Sequence, residues 1–240
     1  MRSLLCLLLI GASVSAQRLD VLRNGFLPDV EGRVPQQAVS GDFDGDGQVD
    51  LAMVDFLSLS IAWNDGSGRF VRRGPSVPAY GALGLAAADL DGDGDLDLLL
   101  DRIGAFGGPA TPILLRNDGG GSFVDVTTQW PAPNDLTVAL AVFDWDGDGD
   151  LDIVTCNTAP AGGCGYPPQF CPAQNRVFRN NGRGFFTDAT AQLFPHTPAA
   201  HSGIADGDLD GDGIRDLVFS VEAHALAPGV PGGLRLFLVG

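Results

Sequence analysis

The sequence predicts an all-β fold, a β-propeller of four antiparallel four-stranded blades. Three observations predict it. Four Asp-rich loops recur in one register, an apolar run follows each, and the first three lead on to a second run that ends in a polar turn and an aromatic residue. Repeats of 40 to 65 residues that each read as four antiparallel strands are the mark of propeller blades. The four repeats form either a closed four-bladed ring or an open part of a larger propeller.

Composition agrees. The 240 residues are 45% hydrophobic with 34 Gly and 16 Pro, which suits many short strands joined by tight turns. The net charge is −16, and the acidity is almost all aspartate: 28 Asp against two Glu, Glu31 and Glu222. All fourteen basic residues are Arg. A solvating acidity would mix Asp and Glu, so the bias points to short carboxylates used inside loops. The acidity argues against nucleic-acid binding, which needs clustered cations.

Taken from the start, residues 1–16 read as a signal peptide. Arg2 supplies the positive charge, residues 4–10 the apolar segment, and Val14, Ser15 and Ala16 the small residues at the cleavage positions. That run is too short to span a bilayer, and no later segment is long and apolar enough. The expected location is therefore secreted, periplasmic or cell-surface. Residues 17–34 form an N-terminal segment, and residues 35–240 hold four repeats at about 35–80, 81–130, 134–192 and 200–240.

Each repeat centres on a nine-residue loop. The first has Asp42, Asp44, Asp46, Gln48 and Asp50 at alternate positions. The second has Asp89, Asp91, Asp93, Asp95 and Asp97. The third has Asp144, Asp146, Asp148, Asp150 and Asp152, and the fourth Asp208, Asp210, Asp212, Ile214 and Asp216. The loops start 47, 55 and 64 residues apart and hold 18 of the 30 acidic residues. So many carboxylates in nine residues repel one another unless solvated or bound to a cation. Calcium takes six to eight oxygen ligands, and about four ions are expected. Positions 1, 3, 5 and 9 would offer carboxylates. Position 7 tolerates Ile214, so it would offer its backbone oxygen. Magnesium, which keeps its waters, is the weaker candidate. An EF-hand needs an acid at position 12, where this chain has Met53, Leu100, Thr155 and Phe219. The ligand set therefore closes at position 9, within a β-hairpin.

The flanks complete each blade. Residues 51–54, 98–100, 153–155 and 217–221 read as buried strands. The next runs end at Asn64-Asp65-Gly66, Asn117-Asp118-Gly119 and Asn180-Asn181-Gly182, the chemistry of hairpin turns, ahead of Phe70, Phe123 and Phe185.

On these loops and turns the chain resembles the FG-GAP or VCBS repeat family, whose blades also occur in the integrin α-chain propeller. The resemblance covers nearly all of residues 35–240. It implies calcium in the loops and a propeller, often of seven blades, where this chain has four repeats.

Insertions at residues 102–111, 157–174 and 223–233 all leave between the second and third strands. They should gather on one rim, where a protein or glycan ligand could bind. Cys156, Cys164 and Cys171 share one Gly/Pro-rich stretch, and one disulfide among them is expected in an oxidising compartment. Zinc is a poor match, since no His lies in that stretch. His196, His201 and His224 sit in no catalytic motif, so no enzyme is expected. The expected function is a secreted calcium-binding repeat protein acting as a binding, adhesion or scaffold module. The alternatives are a propeller attached to a polysaccharide-acting enzyme and a purely structural segment of a larger exported protein. The last repeat stops short of a fourth strand. Residues 26–30 resemble such a strand and would pair with residues 234–239 to close the ring.

Overall fold

The computed structural model describes residues 35–73, 76–103, 110–131, 135–159, 171–194, 201–221 and 233–237. The signal-peptide reading, residues 26–30 and most of the insertions lie outside the described residues.

The described chain is built from strands in four antiparallel sheets. The first holds β1 (Gln37–Gly41), β2 (Asp50–Val54), β3 (Ser58–Asn64) and β4 (Phe70–Arg72), with β5 (Val77–Pro78) beside β3. The second holds β6 (Ala82–Ala88), β7 (Asp97–Arg102), β8 (Ile113–Asn117) and β9 (Phe123–Asp125). The third holds β10 (Leu136–Phe143), β11 (Asp152–Ala159), β12 (Cys171–Pro172), β13 (Arg176–Asn180) and β14 (Phe186–Asp188). The fourth holds β15 (His201–Gly207), β16 (Asp216–Val221) and β17 (Gly233–Phe237). The helical segments among the described residues are a 3-10 turn at Thr127–Gln129 and α1 (Thr190–Leu193). No helix among the described residues is long and apolar enough to cross a membrane.

Each sheet is a meander, and each begins the same way. The residue before the acidic loop pairs with the loop's ninth residue: Gly41 with Asp50, Ala88 with Asp97, Phe143 with Asp152 and Gly207 with Asp216. The loop is thus the connection of the first hairpin in all four sheets. The hairpin from third to fourth strand follows in three of them, and the connections between second and third strands fall where the insertions were read.

Among the described residues the sheets are held together by three apolar seams. Successive residues on a strand point to opposite faces, so a strand between two sheets is apolar throughout. Strand β7 shows this: Leu98 and Leu100 pack with Val54, Leu59 and Trp63 of the first sheet, while Leu99 packs with Ile153 and Phe178 of the third. Strand β11 repeats it, sending Ile153 back toward the second sheet and Val154 forward to Leu217 and Phe219 of the fourth. Full burial of such a side chain contributes about 1.5–3 kcal/mol. The first strands of successive sheets also pack in order, β1 on β6, β6 on β10 and β10 on β15. Packing of that kind does not recur between β15 and β1 among the described residues.

No disulfide is found among the described residues. Cys156 is a free, buried thiol in the seam between the third and fourth sheets. Strand β11 runs on past the apolar stretch to Ala159, because the Thr137 hydroxyl donates to Asn157 at 2.9 Å and satisfies both polar groups in the sheet. Cys156 is therefore a strand residue, and burial pushes its thiol up to about 12. The side chains of Cys164 and Cys171 lie outside the described residues.

Candidate metal centres

The four acidic loops fold alike because each first carboxylate wraps its own backbone. Asp42 accepts the N–H of Gly45 and of Gly47, both at 2.8 Å. Asp89 holds Gly92 and Gly94 at 2.8 and 3.0 Å, Asp144 holds Gly147 and Gly149 at 2.8 and 3.0 Å, and Asp208 holds Gly211 and Gly213 at 2.7 and 3.1 Å. The glycines at positions 4 and 6 all have positive φ, from 75° at Gly45 to 96° at Gly94, a conformation a side chain would strain. The carboxylate at position 5 accepts the N–H of position 7 in every loop, Asp46 from Gln48, Asp93 from Asp95, Asp148 from Asp150 and Asp212 from Ile214. Only backbone is used at position 7, so Ile214 serves there as well as Gln48.

Position 9 sits deepest. Asp50, Asp97, Asp152 and Asp216 are buried. One oxygen accepts the N–H of position 2: Phe43 to Asp50, Leu90 to Asp97, Trp145 to Asp152 and Leu209 to Asp216, at 2.8–3.1 Å. In the first three loops the other oxygen accepts the N–H of the hairpin asparagine, Asn64, Asn117 or Asn180, each at 2.8 Å.

This folding gathers three carboxylates per loop. Ligand oxygens of positions 1, 3 and 9 lie within 4.8 Å of one another in Asp42, Asp44 and Asp50, in Asp89, Asp91 and Asp97, in Asp144, Asp146 and Asp152, and in Asp208, Asp210 and Asp216. Oxygens on opposite sides of one calcium ion stand about 4.6–5.2 Å apart, so the spacing suits that ion. The position-5 carboxylates, and Asp95 and Asp150 at position 7, stand outside these groups.

The electrostatics ask for a cation. Burial pushes Asp97 up to about 6 against the pull of N–H bonds from Asn117 and Leu90, and Asp91 and Asp93 push the same way. Asp152 is raised to about 6 for the corresponding reasons, and Asp50 is raised by burial too. Asp91 Oδ1 is buried without a hydrogen-bond partner. An orphaned, buried carboxylate oxygen is costly unless a cation meets it, so the residues present fit calcium.

Two sets of residues here were not read as site residues from the sequence. The asparagines were taken as turn formers, although their recurrence at one place after the first three loops is itself a signal. Arginines also face the position-3 carboxylates: Arg73 lies 2.7 Å from Asp44, Arg116 lies 3.8 Å from Asp91, and Arg179 pairs with Asp146.

A family model described as FG-GAP-like repeat matches residues 42–100, 101–155 and 170–219. Cartilage acidic protein 1 of Xenopus tropicalis is 31% identical over 168 residues, 65% of this chain and 24% of that protein. The chain thus spans about a quarter of the length of that curated relative. Among solved structures, the V. cholerae biofilm matrix protein Bap1 overlaps 83% of this chain and 26% of its own, with 18% identity and a TM-score of 0.45. An Agrocybe aegerita lectin that recognises non-reducing terminal N-acetylglucosamine overlaps 75% of this chain and 45% of its own, with 22% identity and a TM-score of 0.43.

Proposed function

The chain belongs to the FG-GAP-like repeat family, and from that premise we propose that it is an exported, calcium-stabilised binding or adhesion module whose four sheets stand as propeller blades. The observation that carries the reading is the recurrence of one acidic triad, in one register, at the first hairpin of every sheet. The carboxylates of positions 1, 3 and 9 hold the ion in each loop. Calcium supplies positive charge that lets buried carboxylates stay ionised, and the fold gains what their repulsion would otherwise cost. Extracellular sites bind at about 0.1–1 mM, which matches the signal-like residues 1–16. The relative named for cartilage agrees with an extracellular setting.

The ligand surface is the rim opposite the acidic loops. There the β2–β3 turn exposes Phe56 and Leu57, and Tyr80 stands edge-on to Phe56 with ring centres 5.3 Å apart. Such rims, carried on a rigid scaffold, are where repeat folds place recognition, and the aromatic pair suits a glycan or a protein.

Two measurements test this. Calorimetric titration should find about four calcium ions per chain, and no binding at millimolar calcium would end the metal reading. The calcium-loaded chain should bind members of a glycan and matrix-protein panel and lose them in Phe56→Ala/Tyr80→Ala. A loaded, folded chain that binds nothing on such a panel would leave only the scaffold role.

A further inference from the structure

The acidic loops of the first three repeats are joined by a continuous hydrogen-bonded path, and the joints are two buried asparagines. Asn117 closes the second repeat's loop by donating its N–H to Asp97 at 2.8 Å and one side-chain amide hydrogen to the carbonyl of Leu96 at 3.3 Å. Its Nδ2 also reaches the preceding repeat, donating to the carbonyl of Phe43 at 2.8 Å. Phe43 is position 2 of the first loop, and its N–H bonds to Asp50. Asn180 repeats the pattern one sheet on. It donates to Asp152 at 2.8 Å, to Leu151 at 3.0 Å, and across the seam to the carbonyl of Leu90 at 2.7 Å. Leu90 is position 2 of the second loop, and its N–H bonds to Asp97 at 2.9 Å.

The path therefore runs from Asp152 through Asn180 and Leu90 to Asp97, then through Asn117 and Phe43 to Asp50. All seven residues on it are buried. Hydrogen bonds in such surroundings are strengthened, and a partner lost from them leaves buried groups unpaired. Shifting a position-9 carboxylate to receive or release an ion must therefore move the asparagine bonded to it, and with it the position-2 residue of the neighbouring loop.

The ends of the series differ. Among the described residues Asn64 bonds within its own repeat, donating to Asp50 and to the carbonyl of Val49 at 3.2 Å and accepting the N–H of Gly66. In the fourth repeat Leu217 pairs with Phe237 as Ile153 pairs with Phe178 in the third. In the sequence, Asn180 follows Phe178 by two residues, and the residue that follows Phe237 by two is Val239, a side chain without an amide.

We infer that Asn117 and Asn180 are positioning residues that couple calcium binding among the first three loops, while the fourth loop binds on its own. The inference rests on the calcium reading above and concerns its regulation. Coupling between sites is measured as a change in affinity, commonly 5–150-fold.

Calcium affinity, followed by calorimetry on the full chain, tests it. Asp89→Ala, which disables the second loop, is expected to weaken the first and third sites at least fivefold. Asp208→Ala, which disables the fourth loop, is expected to leave the other three unchanged. In Asn117→Ala/Asn180→Ala the ligands remain, and adding Asp89→Ala should no longer weaken the surviving sites. Should that variant fail to fold, the contrast between Asp89→Ala and Asp208→Ala in the otherwise natural chain still decides. Four ions binding independently, or equal effects from losing the second and fourth loops, would overturn the coupling while leaving the calcium reading intact. A chain that binds no calcium at all overturns both.

Discussion

The guanidinium of Arg73 lies 2.7 Å from the carboxylate of Asp44, a residue 29 positions earlier, and 5.4 Å from the centre of the Trp63 ring. Asp44 belongs to the first acidic triad, so an arginine shares the carboxylate that would meet a metal ion. Arg179 does the same at Asp146 and approaches Asp148 at 3.9 Å. These side chains orient the carboxylate and offset part of the loop's negative charge.

It follows that Arg179→Gln should lower the melting temperature more in chelator than in calcium. Without metal the arginine relieves repulsion among Asp144, Asp146 and Asp148; with metal the ion does so. The pair is partly exposed, so the chelator-state loss is about 0.2–1 kcal/mol. Paired thermal melts of parent and variant check it, and equal losses in both conditions would count against the idea.

Removing calcium should cost far more. At tenfold excess over its dissociation constant, one independent site adds about 1.4 kcal/mol, and four sites, before any coupling among them, add about 5–6 kcal/mol. That is comparable to the net stability of a whole domain. Excess chelator is thus expected to lower the melting temperature sharply, and an unchanged melting curve would rule out structural calcium.

Within one loop, Asp50→Ala should do more damage than Gln48→Ala. Asp50 is buried and accepts N–H bonds from Phe43 and Asn64, so its loss strands two donors at about 1–3 kcal/mol each, besides a ligand. Gln48 takes part through its backbone N–H to Asp46, which alanine keeps. One ion lost from the first variant and none from the second is the expected calorimetric result.

Asp101 should give the fold a distinct pH dependence. It is buried on β7 opposite the irregularity between Ala82 and Gly84, where it accepts the N–H groups of Gly84 and Leu83. Burial outweighs those bonds and pushes its carboxyl up to about 6 from the ordinary 3.8. The folded state therefore takes up this proton before the unfolded state does. Its contribution to stability is greatest below pH 4 and falls as pH rises through 6, by about 2–3 kcal/mol. Asp101→Asn should remove that downward slope. The check is the difference between parent and variant stability from pH 4 to 7, which cancels the carboxylates of the acidic loops.

What could be read from the chain alone was whatever depends on near neighbours. The acidic loops, the hairpin turns and the strands beside them are set by spacings of two to nine residues, and the sheets follow them in order. The gathering of positions 1, 3 and 9 was half legible. The same Asp types fill position 5, and only the folded loop turns Asp46, Asp93, Asp148 and Asp212 onto their own backbone. Relations across seams were not legible. Asn117 and Phe43 are 74 residues apart, Asn180 and Leu90 are 90 apart, and nothing local announces either bond. Cys156 was misread for a related reason. The strand continued through polar Asn157 because its partner, Thr137, lay twenty residues upstream.

The three seams have a consequence for how the molecule comes apart. A middle sheet has an apolar partner on both faces, whereas each end sheet is joined to the rest through one seam among the described residues. Among the described residues, peeling away the fourth sheet breaks one seam, the packing of Ile204, Leu217 and Phe219 against the third sheet, while freeing β7 means tearing Leu98 and Leu100 from one side and Leu99 from the other. Where an end sheet keeps one described seam and a middle sheet two, opening begins at the ends and travels inward. Amide hydrogens of β16 should therefore exchange with solvent well before those of β7, and a protease acting on partly opened molecules should trim the chain from its C-terminal sheet first.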